Sequence, residues 1–187
     1  MVNILMLNQK GGVGKSLLAD EIAFSFERTG TPMAFYDLDS QGGTLHGNIS
    51  VEDAEVAVID TPGALQKDLD VWLKEADVVV IPTRTSHREI EPLMRMLDAL
   101  ERHPGKKVLF VLNEYNRFRV ASTFREWMRT IRKDNEMVTL KHFEQLDQAG
   151  LNNMSVVEYA PSSKAAADTL KVVNTVRTLA GFPEEGK

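Results

Sequence analysis

The sequence predicts a three-layer α/β fold, in which a mostly parallel, twisted sheet carries helices on both faces. Short apolar runs, each about one strand long, recur along the chain, and segments with helical spacing of apolar residues separate them. The chain has 187 residues, of which 43% are hydrophobic and 26% charged, so it is long enough and apolar enough for one such core. We expect a single domain over residues 1–187.

Five apolar runs are rich in β-branched residues and bounded by Gly, Pro, Asp or Asn, which is typical of buried parallel strands. The predicted strands are Val2 to Leu7, Met33 to Tyr36, Val56 to Ile59, Val78 to Ile81 and Val108 to Leu112. The pattern weakens between Met137 and Tyr159, where we expect one more short strand and a loop.

Apolar residues at helical spacing lie between these runs. The predicted inward positions are Leu18, Ile22 and Phe26; then Leu65, Leu69, Trp72 and Leu73; then Ile90, Leu93, Met94, Leu97 and Leu100; and then Phe124, Trp127, Met128 and Ile131. A last helix is predicted from about Ser163 to Ala180, with Leu170, Val173 and Val176 inward. Strands that alternate with helices in this way indicate a parallel sheet.

Composition excludes several classes of protein. Without cysteine, the chain has no disulfide, no thiolate metal site and no thiol catalyst. A net charge of -5 argues against a protein that coats nucleic acid with its whole surface. No apolar run approaches the roughly 20 residues of a membrane span, and no basic leader precedes the first strand. We expect a cytoplasmic protein.

A glycine-rich segment joins the first predicted strand to the first helix. Its glycines allow successive backbone N–H groups to turn toward phosphate oxygens, and the helix presents its positive N-terminal end. In that setting Lys15 can reach the β- and γ-phosphates, and the Ser16 hydroxyl can ligate magnesium. The sequence therefore predicts a site for a nucleoside triphosphate, most simply ATP, with Mg²⁺. The predicted nucleotide-binding residues here are Lys10, Gly11, Gly12, Val13, Gly14, Lys15, Ser16 and Leu17.

Carboxylates follow the second and third predicted strands. Asp37 and Asp39 come after the second strand, at the edge of the sheet where α/β proteins bind ligands. Asp60 ends the third strand, as in a Walker B strand, and is expected to hold Mg²⁺ through water. The turn of Thr61, Pro62 and Gly63 that follows could sense the γ-phosphate.

The segment from Gln9 to Ser16 resembles the deviant Walker A motif of the ParA and MinD superfamily. Gln9 stands where the ordinary loop has glycine, and Lys10 is the additional lysine. The resemblance extends from Asn3 to about Leu179 and implies a P-loop NTPase fold that hydrolyses ATP. It also implies that Lys10 reaches across a nucleotide-sandwiched homodimer to the phosphates of the partner subunit. Lys10, Lys15 and Asp39 are the catalytic residues that the resemblance implies.

The segment after the second strand resembles the Asp-x-Asp-x-Gln switch of the same superfamily. By that resemblance Asp39 positions or polarises the attacking water, while Asp37 supports the magnesium shell or the loop. The metal ligands implied are Ser16, Asp37 and Asp60. Only 20 positions separate Asp39 from Asp60, which is short for the superfamily, and Ser16-Leu17 replaces the usual Thr-Thr.

Two later positions are candidates for contact with the nucleotide base. Asn113, at the end of the fifth strand, lies where relatives often contact adenine, although an asparagine that caps a loop is the alternative. Pro161 lies in the segment from Glu158 to Ala166, which resembles the stretch of ParA-like proteins that closes over the base.

Several branches of the superfamily are disfavoured. Nitrogenase reductase and the iron–sulfur cluster carriers need cysteine ligands, and this chain has no cysteine. The related tyrosine kinases carry a tyrosine cluster in the tail, whereas the only tyrosines here are Tyr36, Tyr115 and Tyr159. MinD-like proteins bind membrane through a basic amphipathic C-terminal helix, whereas residues 181–187 are acidic and contain a proline. The remaining interpretation is a nucleoid-associated ParA-type partition ATPase without an N-terminal DNA-reading extension. Its partners would be DNA and a ParB-like or other cargo adaptor.

A basic segment supports that interpretation. Residues 117–133 contain six basic residues and one acid, Glu126, giving a local charge of +5. On a helix Arg125, Arg129 and Arg132 share one face, which suits sequence-independent phosphate contact, although a solvated helix face is the alternative. The candidate DNA-binding residues are Arg117, Arg119, Arg125, Arg129, Arg132 and Lys133, possible extensions being Arg84 and Arg88.

Two other functions share the fold. A positioning ATPase for a protein assembly would use the same chemistry with another adaptor. A biosynthetic enzyme such as the dethiobiotin-synthetase relatives would need a pocket for a small carboxylated substrate, and no constellation of residues in the sequence supplies one.

Overall fold

The computed structural model describes residues 1–63 and 69–186. The strands are β1 (Val2–Met6), β2 (Met33–Asp37), β3 (Val56–Asp60), β4 (Val78–Arg84), β5 (Lys107–Tyr115) and β6 (Glu136–Lys141). The helices are α1 (Lys15–Arg28), α2 (Leu69–Glu75), α3 (Ile90–Arg102), α4 (Arg119–Ile131), α5 (Glu144–Leu151), α6 (Val156–Tyr159) and α7 (Lys164–Ala180). A 3₁₀ turn over His87–Glu89 precedes α3.

The six strands form one parallel sheet in the order β2-β3-β1-β4-β5-β6. The chain moves from β1 toward the β2 edge and later continues from β4 toward the β6 edge. The carboxyl end of β1 therefore lies at the point where the strand order reverses, which is where open α/β sheets bind ligands. The predicted fold class is confirmed.

Alternating side chains of the sheet divide the core into two layers. Ile4 and Met6 of β1 pack on the side of α1 and α7, while Leu5 of the same strand packs on the side of α2, α3 and α4. Because both faces are covered, the central strands are apolar at nearly every position. Among the described residues, no helix is long and apolar enough to span a bilayer.

Parts of the helix prediction were wrong. The segment between residues 137 and 159, expected to be a strand and a loop, contains β6 and two short helices, α5 and α6. In α3 the side chains of Ile90 and Met94 are exposed, and Met96 and Ala99 are buried instead. The other predicted positions are confirmed, since Leu93 is buried and Leu97 and Leu100 pack partly buried against the core.

Two other residues that were predicted to face inward are Leu170 and Leu65. Leu170 of α7 is only half-buried, and Val172 lies in the core beside Val173 and Val176. Leu65, predicted to face inward with Leu69, lies outside the described residues.

Candidate nucleotide-binding site

The glycine-rich loop connects the carboxyl end of β1 to the first turn of α1, in the centre of the sheet edge. Gly14 is the N-cap of α1, so the free backbone N–H groups of that helix face the loop. The turn after β3 packs closely against this loop: a Cβ atom on Gly63 would lie only 3.2 Å from the Gly11 nitrogen. The fold thus forms a cradle of backbone donors at the predicted phosphate site.

Lys15 is the cation of this cradle. Lys15 is only 7% exposed, and its Nζ lies 3.5 Å from the Lys10 carbonyl oxygen. Burial lowers the pKa of the Lys15 ammonium, and the charges of Asp60 and Asp39 oppose that shift. Within residues 1–63 and 69–186, no carboxylate oxygen comes within 4.0 Å of Nζ. A buried ammonium without a close counter-ion is suited to an anionic ligand.

Ser16 and Asp60 meet beside Lys15. The Ser16 Oγ donates to Asp60 Oδ2 at 2.6 Å, while Asp60 Oδ1 is buried and has no hydrogen-bond partner among the described residues. Burial and the charges of Asp37 and Asp39 raise the pKa of Asp60 to about 6, against the Ser16 hydrogen bond and the Lys15 charge. An unpartnered carboxylate oxygen next to a hydroxyl is a donor set that fits Mg²⁺.

The chain supplies only part of a magnesium shell. No group of three or more His, Asp or Glu residues in metal-binding geometry exists among the residues that the structure describes. Because Mg²⁺ commonly keeps several waters and binds substrate phosphates, a site with two protein ligands, such as Ser16 and Asp60 would provide, is compatible with its coordination.

Asp37 and Asp39 shape the segment that follows β2. The two Asp37 oxygens accept hydrogen bonds from the Asp39 backbone N–H at 3.0 Å and the Thr44 Oγ1 at 2.6 Å. Asp39 Oδ1 accepts from the Gln41 N–H at 3.0 Å, and its charge acts on Lys15. These contacts favour support of the loop as the role of Asp37, over support of the magnesium shell. Asp39 lies near the cradle.

Two asparagines tie the phosphate loop to the ends of β4 and β5. Asn113, at the end of β5, donates from Nδ2 to the Val13 carbonyl at 2.9 Å. Asn8 donates to the Pro82 carbonyl at 2.7 Å and accepts from the Lys10 N–H at 2.9 Å. Contact of Asn113 with a base stays a prediction, as does that of Pro161, which lies exposed in the turn between α6 and α7.

Lys10 is held within its own chain. Its Nζ lies 2.6 Å from the Glu89 Oε1, and the Glu89 side chain is 1% exposed whereas that of Lys10 is 38% exposed. Glu89 ends the 3₁₀ turn before α3. Glu89 could not be predicted from the sequence, because it lies 79 residues from Lys10 and belongs to no motif.

The basic segment does not form a continuous row of free cations. Arg129 lies 2.7 Å from Glu126, and Lys133 lies 2.6 Å from Glu101. Arg125 is 3.7 Å from Glu126 and stacks on the Tyr115 ring at 5.4 Å. Arg132 is the C-cap of α4, and its guanidinium donates to the Asn135 carbonyl.

The exposed start of this segment is both basic and apolar. Arg117 and Arg119 have no ion-pair partner in the described part of the chain. Next to these arginines, Phe118 and Val120 are 72% and 66% exposed. Arg84, a predicted extension of the basic surface, pairs with Glu114 at 2.8 Å.

Comparison with known proteins decides the family. Residues 4–157 match the CbiA family, described as the CobQ/CobB/MinD/ParA nucleotide binding domain. The chain belongs to this family. The resemblance seen in the phosphate loop is thereby confirmed. The description of the family names nucleotide binding as its shared property.

Solved structures share the fold of this family member. A ParA family ATPase from Chlorobium tepidum superposes with a TM-score of 0.73 at 14% identity, over 92% of this chain and 97% of that one. The septum site-determining protein MinD of Pyrococcus horikoshii, complexed with Mg-ADP, gives a TM-score of 0.62 at 18% identity, over 96% and 97% of the two chains.

One curated relative is similar over a shorter stretch. The cytosolic Fe-S cluster assembly factor CFD1 of Chaetomium globosum is 34% identical over 74 residues, which are 40% of this chain and 23% of that protein. These 187 residues contain no cysteine and so supply no thiolate to an iron–sulfur cluster.

Proposed function

We propose that this family member is an ATP-dependent partition or positioning ATPase that works as a nucleotide-sandwiched homodimer. The observation that carries the proposal is the buried Lys15 ammonium, placed in a cradle of backbone N–H groups beside the Ser16–Asp60 pair. In this account Lys15 and the loop bind the triphosphate, and Lys10 contributes to the site of the partner subunit.

Hydrolysis would follow from positioning and charge. Ser16 and Asp60 would hold Mg²⁺, which when bound neutralises charge that develops on the phosphates. Asp39 would orient the attacking water, and Lys15 would stabilise the γ-phosphate. Asp37 would keep the loop that carries Asp39 in place through its bonds to the Asp39 N–H and the Thr44 hydroxyl.

The ATP-bound dimer is proposed to bind DNA without sequence preference and to release it when a cargo adaptor stimulates hydrolysis. Arg117 and Arg119 are the best-placed contacts, because they are exposed and have no carboxylate partner among the described residues. Phosphate contacts by such side chains release counter-ions, so binding must weaken steeply with salt.

Retention of random duplex DNA tests this proposal. With ATP and Mg²⁺ we expect salt-sensitive binding, lost in the double variant Arg117→Glu/Arg119→Glu and prolonged in Asp39→Ala, which would not hydrolyse ATP. Lys74→Glu/Lys171→Glu changes the net charge equally on exposed sites elsewhere and should retain binding. DNA binding that is absent in the wild type, or equally lost in both double variants, contradicts the proposed role of this segment.

A second candidate is a positioning ATPase for a protein assembly, which has the same catalytic site. The exposure of Phe118 and Val120 favours it, since apolar side chains beside cations are typical of protein contacts. A wild-type protein that dimerises and hydrolyses ATP but does not retain DNA would support this candidate over the first.

A further inference from the structure

The Lys10–Glu89 pair joins an accessible cation to an enclosed carboxylate. Glu89 Oε1 lies 2.6 Å from the Lys10 Nζ, whereas Glu89 Oε2 is buried and has no hydrogen-bond partner among the described residues. Lys10 is therefore the one close cation seen at this carboxylate within that part of the chain. Removing it would leave a buried negative charge without compensation, which is strongly unfavourable.

The backbone of Lys10 is fixed while its side chain can swing. The Lys10 N–H donates to Asn8 Oδ1 at 2.9 Å, and Asn8 is tied to the Pro82 carbonyl of β4. The side chain beyond that anchor is more than one-third exposed. Lys10 can therefore exchange one anion for another without rearrangement of the loop.

We propose that Glu89 is a positioning residue, which holds Lys10 within its own subunit and thereby sets the threshold for nucleotide-dependent dimerisation. The inference rests on the proposed function, in which Lys10 crosses to the phosphates of the partner subunit. To cross, each Lys10 must leave Glu89, and a dimer must break two such pairs. Only a ligand with dense negative charge compensates for that loss, so the pair opposes dimers that lack a triphosphate.

Glu89→Gln tests the inference, because it keeps the size of the side chain and removes its charge. With a non-hydrolysable ATP analogue (AMPPNP) and Mg²⁺, sedimentation velocity over a range of protein concentrations should give a dimer Kd roughly tenfold lower than that of the wild type. Glu91→Gln is the matched control, since Glu91 is 82% exposed and pairs with Arg95 at 2.8 Å. It should leave the dimer Kd unchanged.

Lys10→Ala separates this inference from the proposed function. If the wild type does not dimerise, or Lys10→Ala dimerises as well as the wild type, the proposed crossing of Lys10 fails. If Lys10→Ala prevents the dimer while Glu89→Gln matches or weakens wild-type dimerisation, the role of Glu89 is overturned. The gain from Glu89→Gln must also vanish in the Lys10→Ala background.

A misfolded variant would not show the expected decrease in dimer Kd. Circular dichroism melting curves establish that each variant is folded. Should Glu89→Gln not fold, Glu89→Asp replaces it: the shorter side chain draws the carboxylate away from Lys10, so the dimer Kd should fall by a smaller factor. A folded Glu89→Asp with an unchanged or higher dimer Kd overturns the inference.

Discussion

Gly14 meets two constraints at the start of α1. Its φ is +98°, a conformation that residues with a side chain rarely adopt, and a Cβ there would collide with the Asn113 amide. That amide is the donor that holds the Val13 carbonyl. Backbone conformation and loop bracing thus depend on the same glycine.

Gly14→Ala is expected to destabilise the protein by about 2–3 kcal/mol and to abolish binding of a fluorescent ATP analogue, because it strains the backbone and displaces Asn113. Urea unfolding and a binding titration measure the two effects. Gly11→Ala is the control, since no atom lies within 4 Å of a Cβ there, and it should cost less than about 1 kcal/mol. Equal losses in both variants would contradict this account of Gly14.

At the scale of single residues, the sequence predicted the side chains whose spacing belongs to a motif. Lys15, Ser16 and Asp60 lie together as expected, since each lies at or just beyond the carboxyl end of a strand of one parallel sheet. Asn113 was found as well, but its hydrogen bond to the Val13 carbonyl was not predicted. Glu89 was missed because the fold, and not any local pattern, brings it to Lys10.

At the scale of elements, the segment that carries Asp39 is anchored on α1. The Asp20 carboxylate accepts hydrogen bonds from the Leu45 N–H at 3.0 Å, from the His46 N–H at 3.3 Å and from the His46 Nδ1 at 2.7 Å. The His46 ring also stacks on Phe35, with the ring centroids 5.1 Å apart. These contacts fix the far end of the segment to the helix that follows the phosphate loop.

The anchor should depend on pH. Burial lowers the pKa of His46, but the hydrogen bond and charge of Asp20, together with the charge of Glu27, outweigh it and raise the pKa above the ordinary 6.5. A raised pKa in the folded state means that the stabilisation is fully present below about pH 6.5 and is lost as pH rises through the folded value.

His46→Gln should therefore reduce the free energy of unfolding most in acid and progressively less as pH rises. Urea unfolding of wild type and variant from about pH 6 to about pH 9 measures that difference. His142→Gln, at an exposed histidine, is the control and should show no such trend. A His46→Gln effect that grows with pH would reverse the sign and contradict the account.

The elements themselves could be predicted to different degrees. The buried strands of a parallel sheet have long apolar runs, so their positions were clear. α5 and α6 have eight and four residues, too few turns for a periodic signal. These are features that only tertiary packing determines.

At the scale of the whole molecule, the parallel order of the six strands brings the loops after β1, β2 and β3 to one edge. The sequence predicted this architecture because alternating strands and helices permit few topologies. It did not predict that much of the basic segment pairs with acids of the same chain, such as Glu101, which depends on how α3 and α4 lie together.

Lys10 is proposed to complete the active site of the partner subunit, so each active site contains residues of two molecules. Lys10→Ala and Asp39→Ala each remove a different part of that shared site. In a mixed dimer, one site would retain Asp39 of its own subunit and receive Lys10 from the other. Two inactive proteins would then form one complete site.

The most direct measurement is ATP turnover by an equal mixture of Lys10→Ala and Asp39→Ala, at saturating ATP and Mg²⁺. Each variant alone should be inactive. Since each mixed dimer has one complete site out of two, the mixture should turn over ATP faster than either variant alone, at up to about half of the wild-type rate per chain. A mixture no faster than the two separate variants would contradict a shared active site.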